Sequence, residues 1–284
     1  MLDKILVPVR GDGKGDNVLA HAAALAKRFG SHIVVAHCRA RPEDLMPFGV
    51  PLPSFVRDQL LKQSYDLADE VEQGLRAELH ALAMSLGLSE TDPPHGGSAT
   101  ISFVEQTGRM VDVIKTHGRL ADLIAVPKPD RDRNIGVNSL KTALFRTGRP
   151  VLMCPHQDTI PADIGAHLTI GWNGSMEAAR AVALTLPLIG AAEKVTILSS
   201  GQGEPNGAMT SDLVEYLALR NVKAEVATFN SRNPGKGLLD ETRAVGATLL
   251  VMGAYGDSHE RETLFGGNTQ TVVDEATLPV VMVH

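Results

Sequence analysis

At 284 residues the chain has the length of about two ordinary domains, each able to bury a core. Hydrophobic residues at 43% and charged residues at 21% are globular values and argue against disorder. The formal net charge of −6 disfavours a broad nucleic-acid footprint, and no run reaches the roughly 18 apolar residues that a membrane helix needs. The opening stretch MLDKILVPVRGDG carries an apolar run of strand length, far shorter than a signal peptide requires, so a cytoplasmic protein with no membrane partner is expected.

Taken in chain order, strands are predicted near Lys4 to Val9, His32 to His37, Thr100 to Glu105, Leu123 to Val126 and Val151 to Cys154. Helices fall between them, at about Asp16 to Phe29, Ser54 to Leu86, Met110 to His117 and Ser139 to Arg146. The polar, proline-containing segment His156 to Ala166 reads as a linker. Beyond it, strands are predicted near Leu168 to Trp172, Lys194 to Ser199, Lys223 to Phe229, Thr248 to Met252 and Val280 to Val283. Their helices run near Ser175 to Leu188, Thr210 to Arg220, Lys236 to Val245 and Thr269 to Ala276.

The sequence restarts. KILVPVRGDGKGDNVLAHAAALAKRFGSHIVVAH from Lys4 has a counterpart in HLTIGWNGSMEAARAVALTLPLIGAAEKVTILSS from His167, and the halves close alike with GRPVLMCP and TLPVVMVH. Two copies of one domain, 1–155 and 167–284 joined by the 156–166 linker, are the economical reading. Apolar strands alternating with helices define the fold class: α/β, two tandem doubly wound (Rossmann-like or flavodoxin-like) open parallel five-stranded sheets flanked by helices. The first half carries 19 Lys and Arg against 18 Asp and Glu, and the second, from His156, carries 8 against 15. An acidic second half needs a metal ion or well-aimed backbone amides to hold a polyphosphate. The proline-rich loop from Arg41 to Pro53 has no second-half equivalent of its length; it reads as a packed insertion, or as a lid or partner-binding loop.

GAYGDSHERETLFGGNT, residues 253 to 269, follows a buried-type strand and precedes a helix. Ligands of open α/β sheets bind beyond the carboxyl ends of strands, and a helix N-terminus attracts anions. Gly253 and Gly256 let backbone lie against a ligand, and Gly266 with Gly267 lets successive amides point inward. Asn268 and Thr269 either cap the helix or reach a phosphate oxygen.

The run G-x2-G-x9-G before a helix, with LPVVMV at 278–283 and the restart GWNGSMEAARAV, resembles the universal stress protein family, and the likeness spans the chain as two tandem domains. The resemblance implies an adenine nucleotide, ATP, bound in the second half; Asp257, Glu260 and Glu262 of the loop, beside a single Arg261, would repel its phosphates without a divalent cation such as Mg²⁺. Gly171, Trp172, Asn173 and Met252 then lie on the base and ribose side, and Gly253, Gly256, Gly266, Gly267 and Asn268 on the phosphate side, with Thr269 supplying a hydroxyl. Asn173 stands where the family pattern has Asp, and Gly267 where it has Ser or Thr. In the first half Pro127 and Asp130 stand where Gly253 and Gly256 do, and Arg10 replaces the Asp after the first strand. Proline offers neither positive φ nor an N–H, so the first half reads as a degenerate copy.

No G-x4-G-K-[ST], G-x-S-x-G or H-E-x-x-H occurs, and no catalytic constellation stands out. His259, Lys236 and Trp172 have functional readings, but an exposed loop histidine, a surface lysine and a core indole are the plainer ones. His37 with Cys38 and Cys154 with His156 read as packed side chains rather than zinc ligands. The expected function is a non-catalytic, nucleotide-binding stress-response module that changes protein partners with occupancy. An interaction scaffold without nucleotide is the alternative, and an enzyme acting on a nucleotide-like substrate is a weaker third. The resemblance also implies pairing of Val151 to Cys154 with Val280 to Val283, making the tandem an internal dimer; a homodimer of such chains is compatible with it.

Overall fold

The computed structural model describes residues 1–9, 15–39, 53–91, 97–130, 136–201, 207–256 and 267–284. Gly266, Arg10, His259 and the insertion residues 41–52 therefore lie outside the described residues, as do the charges of Asp257, Glu260, Arg261 and Glu262.

In the first half the strands are β1 (Lys4–Val9), β2 (His32–Arg39), β3 (Ser89–Glu90), β4 (Thr100–Thr107), β5 (Leu123–Pro127) and β6 (Val151–Cys154). The helices are α1 (Gly15–Phe29), α2 (Ser54–Ser85), α3 (Met110–Gly118) and α4 (Val137–Thr147). The second half holds β7 (His167–Gly171), β8 (Lys194–Ser199), β9 (Ala224–Thr228), β10 (Leu249–Gly253) and β11 (Val280–Val283). Its helices are α5 (Met176–Leu184), α6 (Leu186–Gly190), α7 (Thr210–Ala218), α8 (Pro234–Ala244) and α9 (Gly267–Glu275).

The expected tandem α/β architecture is present, and its two sheets join through their last strands, as the expected pairing of Val151 to Cys154 with Val280 to Val283 requires; a sixth strand in the first half is the difference. One eleven-stranded sheet runs β3-β4-β2-β1-β5-β6-β11-β10-β7-β8-β9. All described pairs are parallel except β6 with β11, which are antiparallel, with Val281 opposite Leu152. This join appears because both strands end their halves as bare apolar edges, and burying each against the other satisfies two rows of backbone groups at once. The two-residue β3 is the extra strand; nothing in SE marks it as one apart from its pairing with β4.

Successive strand residues point to opposite faces, which sorts the core into two layers. Ile5 and Val7 face α1, and Ile170 and Val251 join α5 and α7 in the same layer. Leu6, Ile124, Met252 and Met282 face the layer of α3, α4, α8 and α9. Both layers run across the β6–β11 seam.

One predicted helix is two. The stretch from Ser175 breaks into α5 and α6 at Thr185, because Pro187 occupies the first turn of α6 and cannot donate to a continuing helix. The Thr185 hydroxyl, buried, donates instead to the Ala181 carbonyl at 2.6 Å.

Candidate functional site

In the second half the order β11-β10-β7-β8-β9 reverses its direction of growth between β7 and β10, which opens a crevice beyond their carboxyl ends. Gly171 ends β7. A Cβ there would fall 2.9 Å from Leu238 Cδ2, so packing against α8 accounts for this glycine. Trp172 is 7% exposed; its indole N–H donates to the Ala208 carbonyl at 3.2 Å and its ring joins the core. Only an edge of the indole is left for a ligand. Asn173 is exposed, and its Oδ1 accepts from Ser175 N at 3.2 Å. That turn delivers the chain to α5, whose N-cap Ser175 accepts from Ala178 N at 3.2 Å.

Across the crevice, Met252 is 6% exposed and Gly253 ends β10. A Cβ at Gly253 would lie 2.5 Å from Ala178 N and 2.6 Å from Glu177 C, so the strand presses on the first turn of α5. A Cβ at Gly256 would meet Glu177 Oε2 at 2.8 Å. The residue between, Tyr255, is in the left-handed region at φ 54. Its N–H donates to Thr269 Oγ1 at 3.1 Å, while Ala254 N donates to the Val283 carbonyl at 2.8 Å. Thr269 is 9% exposed, and its hydroxyl holds the loop.

Gly267 opens α9 at φ 80, and a Cβ there would meet nothing within 4 Å. Positive φ, not crowding, calls for glycine at this point. Asn268 Oδ1 accepts from Gly235 N at 3.2 Å; a Cβ at Gly235 would lie 2.4 Å from the Asn268 carbonyl oxygen. The amide thus serves the start of α8, and the N-terminal turns of α8 and α9 adjoin. Lys236, the second-half lysine at the start of α8, is exposed, with its backbone N–H donated to the N-cap Asn233 at 3.1 Å.

Gly171, Trp172, Asn173, Met252, Gly253 and Gly256 therefore lie at or just past the carboxyl ends of the paired strands β7 and β10, and the Tyr255 bond to Thr269 ties this end to the start of α9 with Gly267 and Asn268. Sequence reading passed over Glu177, whose carboxylate lies against Gly256, and Tyr255, whose place inside G-x-x-G was the available signal. The carboxylate is unfavourable to a bare phosphate beside Gly256 and favours a cation there. The α9 turn, by contrast, carries the positive end of a helix dipole.

The equivalent region of the first half is built differently. Lys128, next to Pro127, donates Nζ to the Ala276 carbonyl at 2.9 Å; burial pulls its pKa down against the opposing pull of Asp274 and Glu275. A cavity of about 1290 Å³ lies along α1 and the linker, lined by Asn17, Lys27, Lys128, His156, Gln157 and Ile160 among others. This cavity does not coincide with the glycine run. Beside it, buried His21 places Nδ1 2.7 Å from the Asn17 carbonyl and Nε2 3.0 Å from Gln157 Oε1, and burial lowers its pKa. Neither cysteine forms a disulfide; Cys154 is buried, which raises its pKa. Among the described residues no three His, Cys, Asp or Glu side chains are grouped to hold a metal ion, and no helix is long and apolar enough to cross a membrane.

The helices on both faces of a mostly parallel sheet, with a switch point between β7 and β10, place the chain in the doubly wound α/β class. The sequence model of the universal stress protein family matches residues 1–125 and 175–284, and the chain belongs to that family. It is similar in structure to a universal stress protein from Archaeoglobus fulgidus DSM 4304, with a TM-score of 0.72 at 16% identity over 100% of this chain and 98% of that one. A putative universal stress protein from Pseudomonas aeruginosa UCBPP-PA14 gives 0.54 at 16% identity, covering 99% and 93%. A functionally unknown protein from Pseudomonas aeruginosa PAO1 gives 0.53 at 15% identity, covering 99% and 92%. At these identities the likeness speaks for the fold. No curated protein sequence matches the chain.

Proposed function

We propose that the chain is a cytoplasmic stress-response module, without catalytic activity of its own, that binds an adenine nucleotide in its second half. The chain divides into domains 1–155 and 167–284, joined by 156–166. ATP, bridged by Mg²⁺, places its base and ribose by Gly171, Trp172, Asn173 and Met252. Its phosphates lie by Gly253, Gly256, Gly266, Gly267, Asn268 and Thr269. One observation carries this reading: the N-terminal turn of α9, started by a left-handed Gly267, is tied to the end of β10 by the Tyr255 N–H bond to Thr269 Oγ1 at 3.1 Å, beside the switch point between β7 and β10, where backbone amides and the helix dipole favour an anion. Glu177 beside Gly256 accounts for the cation, since its carboxylate and a phosphate repel each other unless a divalent ion lies between them. Nucleotide occupancy alters partner choice only if bound and free loops differ in their affinity for the partner. A scaffold without nucleotide is the second reading, favoured by that same carboxylate lying where a phosphate would approach.

The test is calorimetric titration of Mg²⁺·ATP into the wild type and Asn268→Asp, beside mass spectrometry of any small molecule released from gently purified protein. Aspartate keeps the acceptor for Gly235 N and adds a negative charge at the α9 turn. Wild-type binding weakened about ten-fold or more in the variant, with an unchanged melting temperature, supports the site. No released nucleotide and no binding by the wild type hands the assignment to the scaffold.

A further inference from the structure

The first half touches the last part of the second at two points, one beside the glycine run and one at the far end of α9. Phe145, on α4, is partly buried, and its ring lies 5.4 Å from the Tyr255 ring at an interplanar angle of 48°. On its other side it meets the His284 ring edge-on at 4.7 Å and 69°, and His284 Nδ1 in turn lies 3.1 Å from the Ala254 carbonyl. Lys128, at the end of β5, places its ammonium on the Ala276 carbonyl at the far end of α9, a charge-assisted contact at a helix C-terminus. The loop of each half thus crosses the β6–β11 seam to the last helix region of the other.

We propose that the first half is a positioning clamp for the second-half crevice, with Phe145 holding Tyr255 in its left-handed conformation and Lys128 holding α9 from behind. The physical argument concerns Tyr255. A non-glycine residue at positive φ is costly and persists only where its surroundings over-determine it. Its N–H bond to Thr269 fixes the backbone from within the second half, but its ring is braced by Phe145 across the seam. Tyr255 lies between Gly253 and Gly256, so releasing it lets the entrance of the glycine loop move. Lys128 stands where Ala254 does, its N–H donating to the Cys154 carbonyl at 2.7 Å as Ala254 N donates to Val283 at 2.8 Å, and its side chain adds a contact that an alanine cannot make. The inference rests on the nucleotide reading only for its consequence, not for its geometry.

Hydrogen exchange on the full chain, without nucleotide, tests the geometry. Phe145→Ala is expected to speed exchange of the Ala254 and Tyr255 amides about three- to ten-fold while β7 and β8 are unchanged. Phe145→Tyr restores protection, and Phe145→Leu, which keeps apolar volume without the ring, covers the case in which alanine fails to fold. Lys128→Met is expected to speed exchange along α9 in the same way. Unchanged exchange at 254–256 in folded Phe145→Ala or Phe145→Leu overturns the clamp. A parallel Mg²⁺·ATP titration separates the two readings. If the wild type binds nothing the nucleotide assignment fails while exchange still decides the clamp, and if it binds, Phe145→Ala is expected to weaken binding several-fold.

Discussion

Gly253 and Gly267 look alike in a motif and differ in cause. At 253 a side chain would drive into the backbone of α5, 2.5 Å from Ala178 N; at 267 there is room, and only a φ of 80 disfavours one. Gly253→Ala must move a helix off a strand end and is expected to cost about 1–3 kcal/mol by overpacking. Gly267→Ala carries only the left-handed penalty, about 1–2 kcal/mol, and leaves packing intact. Urea unfolding of the two variants, with Gly267→Ala crystallising or exchanging like the wild type and Gly253→Ala loosening α5, checks the distinction; equal effects at α5 count against it. The spacing of the glycines was legible in the sequence. Their separate reasons were not, because a motif does not show what stands opposite each residue. Trp172 makes the same point: it stands at a strand end beside the crevice, yet its ring belongs mostly to the core.

At the scale of elements, α5 joins fold to site. Its cap, Ser175, satisfies Ala178 N, the same amide against which Gly253 is pressed. Ser175→Ala removes that acceptor and is expected to lower stability by about 1 kcal/mol, seen as a fall in melting temperature; an unchanged melting curve shows that the neighbouring backbone supplies the cap instead. Helix and strand types followed from periodicity along most of the chain. The misses have local causes: Pro187 divides α5 from α6, and β3 exists only because β4 offers an edge to pair with. Asn268 was read as a cap or a phosphate ligand, and in the fold its amide accepts from a different helix, α8, a partner that lies 33 residues away in sequence.

The molecule as a whole is a single sheet with two continuous apolar layers, and the seam is internal to it. Val281 is fully buried and pairs with Val251 on one side and Leu152 on the other. Val281→Pro removes a ladder donor in a central strand and leaves a buried carbonyl unpaired, costing at least about 1–3 kcal/mol. The expected result is a lower urea midpoint by circular dichroism and by fluorescence of Trp172, the one tryptophan in the sequence. An unchanged midpoint by both probes means that the β6–β11 join contributes little to stability. The linker is tied to both halves in the same sense: Arg28 donates to the Ile164 carbonyl at 3.0 Å, and Gln157 Nε2 to the Thr277 carbonyl at 3.1 Å.

The sequence by itself determined the α/β class, the duplication, the parallel strands and the family resemblance, because apolar periodicity and the order of elements are local properties written along the chain. It also placed the glycine run at a strand end before a helix. Only the tertiary structure decided that a short β3 extends the sheet, that Gly253 answers to Ala178, that Glu177 stands at Gly256, and that Phe145 and Lys128 reach across the seam. Each of these is a contact between residues distant in sequence, and such contacts are set by how layers pack, which no local pattern encodes.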